Sequence, residues 1–265
     1  MANIYKFRDW GNDYHKQILT DQLFFCSSIS NFNDPFDSTI PIDYEGLTQE
    51  EKIEAVENHV SNNYPRAVGR ERLKLIEKVF QESAIDDPEQ LQKNYKEVVI
   101  PNIEEEIGIL SFAGNREHIL MWSHYANSHK GFCIGIDKEE LQTSIRPLLL
   151  TEDKFLKLYD VSYQESYPQI NPLKVSAEEY FSLPLTIKSH VWNYEDEVRL
   201  IFKDGANELL KIEKELFQDI TFGCRMPENH QSEIIEIINT EFDELPVYKA
   251  ILSNDEFSLS FDRIQ

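Results

Sequence analysis

Trp192-Asn-Tyr-Glu-Asp-Glu-Val-Arg-Leu-Ile-Phe202 is the most informative stretch of the chain. Polar and apolar residues alternate over 194–202, which is typical of a β-strand whose side chains point to opposite faces in turn. On this prediction Glu195, Glu197 and Arg199 share one face. Two carboxylates on one face repel each other unless a cation lies close by, and such crowding tunes a carboxylate for acid–base work. The alternative is an ordinary solvent-facing strand surface.

Strands and helices are segregated along the rest of the chain rather than strictly alternating. Period-two patterns predict strands over 4–8 and 23–27 and again through the second half, which ends in a hairpin. The region between them, about 43–107, has helical spacing and capping signals. This segregation favours an α+β fold with a central, mostly antiparallel sheet, continuous or split, over a doubly wound fold. We expect a single domain, 1–265, that carries 43–107 as a helical insertion or subdomain.

Capping motifs mark where the helices of this block begin. Thr48 and Glu51 match a capping box, in which each side chain bonds the other residue's backbone N–H. A second helix is predicted over about 70–82. Its apolar residues at helical spacing are expected to be buried: Leu73, Ile76 and Phe80.

The charge of the chain restricts its partners. The 265 residues include 26 Lys and Arg against 48 Asp and Glu, a formal net charge of −22. This surplus argues against binding nucleic acid or an anionic membrane through general electrostatics, although it leaves a local basic groove open. The three cysteines, Cys26, Cys133 and Cys224, show no spacing for a disulfide framework or a zinc site. Without an apolar signal segment or a membrane-length apolar run, the expected location is the cytoplasm.

A second informative segment, Met121-Trp-Ser-His-Tyr-Ala-Asn-Ser-His129, lies just before a Gly-flanked strand. His124 is a candidate acid, base or ligand-anchoring donor, because histidine titrates near neutral pH. A histidine that only satisfies buried backbone groups is an equally good interpretation. Ser123 beside His124 does not indicate a serine hydrolase, since adjacent side chains rarely point together and no Gly-x-Ser-x-Gly motif occurs.

The loop over 27–37 is a third candidate. It is rich in Asn, Asp, Ser and Pro, so we expect side chain–backbone bonds to replace regular structure there. Asn33 is a candidate for reading an amide or a ribose, and Phe36 for stacking on a ring. A rigid turn is the plainer interpretation of the same residues.

Metal and phosphate-loop motifs are missing from the sequence. It has no His-x-x-x-His, no Gly-x-x-x-x-Gly-Lys and no Gly-x-Gly-x-x-Gly. These absences exclude a P-loop NTPase and a Rossmann dehydrogenase by motif. We expect no metal site and no tightly bound cofactor, and the sequence predicts no particular oligomeric state.

Five motifs occur in a fixed order along the chain. They are Tyr5-Lys-Phe-Arg8, Leu23-Phe-Phe with Phe32-Asn-Asp-Pro-Phe36, Met121-Trp-Ser-His-Tyr-Ala with His129-Lys-Gly-Phe-Cys-Ile-Gly135, Trp192-x-Tyr-Glu-x-Glu-x-Arg199, and Phe222-Gly-Cys-Arg-Met226. Together they resemble a large bacterial family, domain of unknown function 2971. The resemblance covers nearly the whole chain, with the helical block as the variable part. It implies a fold and a location for the site more than it implies a reaction.

More distantly, the chain resembles the ADP-ribosyltransferase superfamily. In that superfamily a first strand carries an Arg or His that holds NAD, a Ser-rich strand supports the nicotinamide pocket, and a late strand carries the catalytic Glu, often as Glu-x-Glu. Arg8, Ser27 with Ser28, and Glu195-x-Glu197 occur here in that order. The resemblance implies an ADP-ribosyltransferase-like sheet and NAD as a candidate substrate, since a carboxylate stabilises the oxocarbenium character of nicotinamide–ribose cleavage.

Three functions follow from these segments. The first is an NAD- or nucleotide-directed transferase or glycohydrolase, such as a toxin or antiviral-defence effector, with Glu197 catalytic, Glu195 activating the acceptor and Arg8 holding the pyrophosphate. The second is another nucleic-acid- or nucleotide-directed enzyme that uses His124 and the Glu pair. The third is a non-catalytic nucleotide-sensing or ligand-binding module, so whether the protein is an enzyme stays open.

The motif residues are expected to converge in space although they are scattered along the chain. Those predicted to line one cleft are Arg8, Asn33, His124, Lys188, Trp192 and Glu197. The catalytic candidates are Glu197, Glu195 and His124. The substrate-binding candidates are Arg8, Tyr5, Ser27, Asn33, Trp122, Lys188, Trp192 and Arg199.

Overall fold

The computed structural model describes residues 2–145 and 156–265. The chain forms two compact units. The sheet unit consists of 1–33, 104–163 and 189–265, and the helical unit consists of 34–103 and 164–188. The helices expected over 43–107 fall mainly in the helical unit. This unit also contains the later segment 164–188. The division into one domain with an insertion stays a prediction.

The strands and helices have the following bounds. The strands are β1 (Asn3–Arg8), β2 (Leu23–Ser28), β3 (Ile107–Ala113), β4 (Phe132–Asp137), β5 (Leu156–Asp160), β6 (Ser162–Gln164), β7 (Ile187–Ser189), β8 (Glu197–Lys203), β9 (Glu208–Lys211), β10 (Phe217–Phe222), β11 (Val247–Leu252) and β12 (Leu259–Arg263). The helices are α1 (Asp13–Thr20), α2 (Gln49–Asn63), α3 (Gly69–Glu82), α4 (Pro88–Asn94), α5 (Ile100–Glu106), α6 (Ile119–Tyr125), α7 (Lys138–Ile145), α8 (Ala177–Thr186) and α9 (Glu228–Glu241).

The sheet unit is built on one large, mostly antiparallel sheet. Within the described residues ten strands join it, in the order β12-β11-β10-β4-β1-β3-β2-β9, and β8 lies between β3 and β5. Among the strand pairs of this sheet in the described part of the chain, only β10 with β11 is parallel. The predicted α+β class and the mostly antiparallel sheet are confirmed.

The sheet divides at β3. One edge of this strand pairs with β8 along its whole length, from Ile107 to Ala113. The other edge pairs with β1 at Ala113 and with β2 at Gly108 and Ile109. Strands β1 and β2 therefore diverge over the middle of β3. The Lys6 ammonium enters this gap and donates a hydrogen bond to the carbonyl oxygen of Ser111.

Both faces of the sheet are covered, which explains the apolar character of its strands. The larger core lies on the face that carries Leu110, Ile134 and Leu200, where α1, α7 and α9 supply buried side chains. On the opposite face, Trp122 of α6 packs edge-on against Phe7 of β1, with ring centroids 5.0 Å apart.

The helical unit has its own small core. Ile40, Ile42 and Tyr95 are buried together with Ile170 and Ile187. A parallel bridge pairs Ile42 with Ile170, so two extended segments lie side by side. The predicted capping box of Thr48 and Glu51 is confirmed at the start of α2. Residues Tyr95–Val99, between α4 and α5, form a π-helical turn.

Two details of the sequence prediction are wrong. The strand predicted to begin at 194 begins at Glu197, because a 3-10 helix covers His190–Glu195 and Asp196 ends it with a left-handed backbone (φ 44°). In α3, Ile76 and Phe80 are half-buried but Leu73 is 66% exposed. Helix α3 packs mainly on α2, and one neighbour covers only part of an apolar stripe.

Gly131 is required by a close backbone approach at the start of β4. A Cβ at this position would lie 2.1 Å from the carbonyl oxygen of Arg8, a backbone atom that cannot move alone. We expect Gly131→Ala to lower the free energy of unfolding by about 3 kcal/mol, the upper part of the range for overpacking. Gly11→Ala is the matched control, since its Cβ would meet only the flexible Asp9 carboxylate at 3.2 Å. Equal urea midpoints for the two variants would contradict the clash.

Candidate functional site

A cluster of charged side chains is buried in the sheet unit. It consists of Lys6 from β1, Tyr125 from α6, Glu195 from the 3-10 helix before β8, and Glu197 and Arg199 from β8; we call it the charge cluster. The carboxylates and the guanidinium are 0–5% exposed and Lys6 is 7% exposed. Removing ionised groups from water is costly, so such groups are kept only where partners or a function compensate for the cost.

The centre of the charge cluster is an ion pair within one strand. Glu197 and Arg199 are two residues apart on β8 and therefore share a face. Nε of Arg199 donates to Oε1 of Glu197 at 2.9 Å, and Nη2 donates to Oε2 at 3.0 Å, so the pair is bidentate. The ring of Phe32 lies 5.3 Å from the guanidinium carbon, a cation–π contact from the loop after β2. The alternative interpretation, a solvent-facing strand surface, is wrong, because both faces of β8 are covered.

Glu195 reaches the charge cluster by a route that strand alternation does not provide. It is the last residue of the 3-10 helix, and the left-handed Asp196 separates it from β8. Its Oε1 accepts a hydrogen bond of 2.6 Å from the hydroxyl of Tyr125. Burial and the charge of Glu195 raise the pKa of this tyrosine, so its proton stays in the bond. The prediction that Glu195 and Glu197 lie on one strand is therefore wrong. Both carboxylates are buried, but only Glu197 belongs to β8.

Lys6 of β1 lies within electrostatic reach of these carboxylates, and Arg8 is the next cation along the same strand. Burial holds the pKa of Lys6 well below its ordinary value, and repulsion by Arg8 adds to this, whereas Glu197 and Glu195 act in the opposite direction. Burial also lowers the pKa of Arg8 to about 10, which leaves it charged at neutral pH. Among the described residues, no carboxylate lies within ion-pairing distance of the Arg8 guanidinium, which donates to the Phe7 carbonyl oxygen at 3.2 Å. Arg8 as a whole residue is of intermediate exposure, and its guanidinium is desolvated.

The sheet unit provides binding groups of both signs. Glu195 and Glu197 can accept hydrogen bonds from hydroxyl groups and stabilise a developing positive charge. Arg8 supplies a positive charge that no protein carboxylate among the described residues neutralises. Within those residues, no three His, Cys, Asp or Glu side chains are grouped to hold a metal ion.

Three other predicted residues of the sheet unit belong to neighbouring contacts instead. The Tyr5 ring lies 5.9 Å from the guanidinium of Arg116, which pairs with Asp219 at 2.9 Å. Trp122 is fully buried and donates to the Arg116 carbonyl oxygen at 2.7 Å. The Ser27 hydroxyl donates to the next residue's carbonyl oxygen at 3.0 Å. Tyr5 and Trp122 therefore line the same sheet face as Glu197, within its aromatic packing.

The remaining predicted residues are more exposed or lie in the other unit. His124 and Asn33 are exposed, and Trp192 is half-buried beside Tyr194, with ring centroids 5.9 Å apart. Lys188 is buried in the helical unit, where its ammonium lies 3.5 Å from Asp37. Their convergence with Glu197 on one cleft stays a prediction.

Lys6 and Tyr125 were missed by the sequence analysis, although each left a signal. Lys6 lies between Tyr5 and Phe7 in an apolar strand, and a charge at such a position indicates a buried partner. In the second segment His124 was chosen as the candidate and its neighbour Tyr125 was not. The helix α6 decides between them, since Trp122 and Tyr125 are three residues apart and face the sheet together, whereas His124 points away.

One comparison with known proteins finds a similarity to a family. Residues 121–200, which contain most of α6, all of β4 and the start of β8, match a family model. The family is described as protein of unknown function (DUF2971). The match over residues 121–200 supports the family resemblance predicted from the motifs, and four of the five residues in the charge cluster lie within the matched segment. No curated protein and no solved structure matches the chain. None of the described helices is long and apolar enough to cross a membrane.

A strained turn follows α6 inside the matched segment. Asn127, Ser128 and His129 have φ values of 46°, 55° and 67°, the left-handed region that non-glycine residues rarely adopt. The turn carries the chain back over the end of α6, where the N–H of His129 bonds the Trp122 carbonyl oxygen at 3.1 Å. It also brings Nε2 of His129 to 3.1 Å from Oγ of Ser123.

This turn should make stability depend on pH. Burial and the charge of Arg225 lower the pKa of His129 in the folded protein. The unfolded chain therefore binds a proton more readily, and this contribution to stability is lost as pH falls through about 6.5, the ordinary value for histidine. We expect the melting temperature of the wild type to fall more between pH 7.5 and 5.5 than that of His129→Gln. His59→Gln, an exposed histidine of α2, is the control; a wild-type response from His129→Gln would contradict the assignment.

Proposed function

We propose that this protein is an NAD-directed transferase or glycohydrolase whose reaction centre is the charge cluster. The observation that carries the proposal is the buried pair of carboxylates Glu195 and Glu197; the same unit also contains Arg8, which has no carboxylate partner among the described residues. A nicotinamide dinucleotide presents a cationic ring, ribose hydroxyls and a pyrophosphate, which these three kinds of group complement.

The order of the strands supports an ADP-ribosyltransferase-like interpretation. Arg8 ends the first strand, Ser27 and Ser28 end the second, and Glu197 begins a late strand. Strands β1, β2 and β8 all pair with β3, at the point where the sheet divides. Three separate stretches of sequence therefore pair with one strand, in the order that the ADP-ribosyltransferase resemblance predicts.

In the proposed reaction the bond between the nicotinamide nitrogen and C1′ of the ribose breaks. Nicotinamide leaves as a neutral ring with the bonding electron pair, and the ribose acquires oxocarbenium character. Glu197 stabilises this charge and accepts a hydrogen bond from a ribose hydroxyl, while Arg8 holds the pyrophosphate. Glu195 takes the proton of the water or acceptor nucleophile that adds to C1′.

A ligand-binding module without catalysis is the second candidate. The observation that favours it is the bidentate pair, because Arg199 bonds both carboxylate oxygens of Glu197 and limits what they can offer a substrate. In this candidate the charge cluster binds the nucleotide and leaves it intact.

Incubation of the purified protein with NAD, followed by chromatography of nicotinamide, tests the proposal. Time-dependent nicotinamide release above a heat-denatured control is the expected result. A thermal-shift series with NAD and with ADP-ribose runs in parallel. A shift with NAD but no release would select the binding module, and neither shift nor release would contradict both functions.

A further inference from the structure

A cleft in the helical unit lies outside the charge cluster and plays no part in the proposed function. Its volume is about 600 Å³, well within the range of ligand pockets in proteins. Three segments form its walls: the extended residues 41–45, the stretch 88–97 from α4 into the π-helical turn, and residues 167–169. We propose that this cleft binds an extended peptide segment that contains proline and carries a basic side chain.

The apolar part of the wall is made of rings. Pro41, Pro88 and Pro168 line it together with Tyr44 and Tyr167, and Tyr167 is 48% exposed. Flat, rigid rings of this kind form the grooves in which proline-rich segments lie, since such segments are already extended in polyproline II geometry and lose little entropy on binding.

A buried donor in the wall requires an acceptor. Nε2 of Gln92 is inaccessible to solvent and has no hydrogen-bond partner among the described residues. An unsatisfied buried amide is costly, so rotation of the Gln92 side chain toward a ligand oxygen in the cleft that it lines would favour binding. The adjoining turn, Tyr95–Val99, has π-helical geometry, which occurs frequently at functional sites. A peptide carbonyl group is the natural acceptor for this donor.

The charges of the wall favour a cation. Four acidic residues line the cleft, against Lys93 and Lys96. Lys93 lies 4.0 Å from Glu97, and no cation among the described residues lies within ion-pairing distance of Glu45 or Glu89. A basic side chain of the ligand would complement this surplus. A simple polyamine matches the charges but offers Gln92 no acceptor, whereas a basic proline-containing peptide matches the rings, the donor and the charges.

Fluorescence polarisation with the labelled peptide Arg-Pro-Pro-Leu-Pro-Pro-Arg tests the inference. Saturable binding to the wild type is expected. The double variant Glu45→Lys/Glu89→Lys should weaken it at least about tenfold, the value of one good charged contact. Glu54→Lys/Glu57→Lys is the matched control, because these exposed residues of α2 make the same change of charge outside the cleft. Gln92→Leu should weaken binding by about fivefold to tenfold through the lost donor.

Two further probes decide whether the ligand class is correct. The same peptide with alanine in place of every proline should bind at least about tenfold more weakly, the scale of losing preorganisation. Spermidine at equal concentration should leave the labelled peptide bound. Absence of saturable binding to the wild type, equal binding of the alanine peptide, or displacement by spermidine would each overturn the proposal. Unchanged circular dichroism of the variants shows that the effects arise in the cleft.

Discussion

Arg199→Met should lower the free energy of unfolding by about 3–5 kcal/mol, the usual result of removing one partner from a buried ion pair. The guanidinium is fully buried, it makes a bidentate bond to Glu197, and Phe32 covers it. Methionine fills similar volume without the charge, so the main loss is the desolvated carboxylate that stays behind. Urea unfolding followed by circular dichroism measures the effect.

A second variant separates the ion pair from simple packing. In Glu197→Met/Arg199→Met both charges are gone, and the double variant should be more stable than Arg199→Met alone. Arg263→Met, on the exposed edge strand β12, is the matched control and should change the stability by less than about 0.5 kcal/mol. If the double variant loses as much free energy of unfolding as Glu197→Met and Arg199→Met lose together, the two residues do not act as a pair.

Glu197→Gln should reduce nicotinamide release from NAD by about 10²–10³-fold, the scale of removing one electrostatic stabiliser from a transition state. The substitution keeps the shape of the side chain but removes its charge. Because the pair with Arg199 is buried, this variant is also expected to be less stable. Activity is therefore measured at a temperature at which circular dichroism shows the variant folded.

Asp219→Asn provides the control that this experiment needs. Asp219 is also a buried carboxylate in the sheet unit, and it pairs with Arg116 at 2.9 Å. The change from carboxylate to amide is the same, but the pair lies on β10, across three other strands from β8. We expect this variant to lose stability and keep its turnover. Equal losses of activity in the two variants would assign Glu197 to the structure of the sheet, and the transferase mechanism would be abandoned.

Local sequence signals were sufficient for the elements that depend on local physics. The capping box of Thr48 and Glu51 needs only residues three apart, and it is present. The segregation of strands and helices predicted the α+β class, because the period of the apolar residues distinguishes the two. The five motifs identified a family that a match over residues 121–200 supports.

Only the tertiary structure determined which charged side chains of these elements are buried together. The alternation around Glu195, Glu197 and Arg199 predicted one polar strand face, but whether that face meets solvent depends on α6, which lies 70 residues earlier than the strand it helps to cover. The gap between β1 and β2 places Lys6 within electrostatic reach of both carboxylates, and no local pattern in β1 encodes the position of β8. The free-energy cost of removing an ion from water depends on the groups that surround it in the folded protein. Whether these side chains are hydrated or desolvated is therefore decided by the tertiary structure.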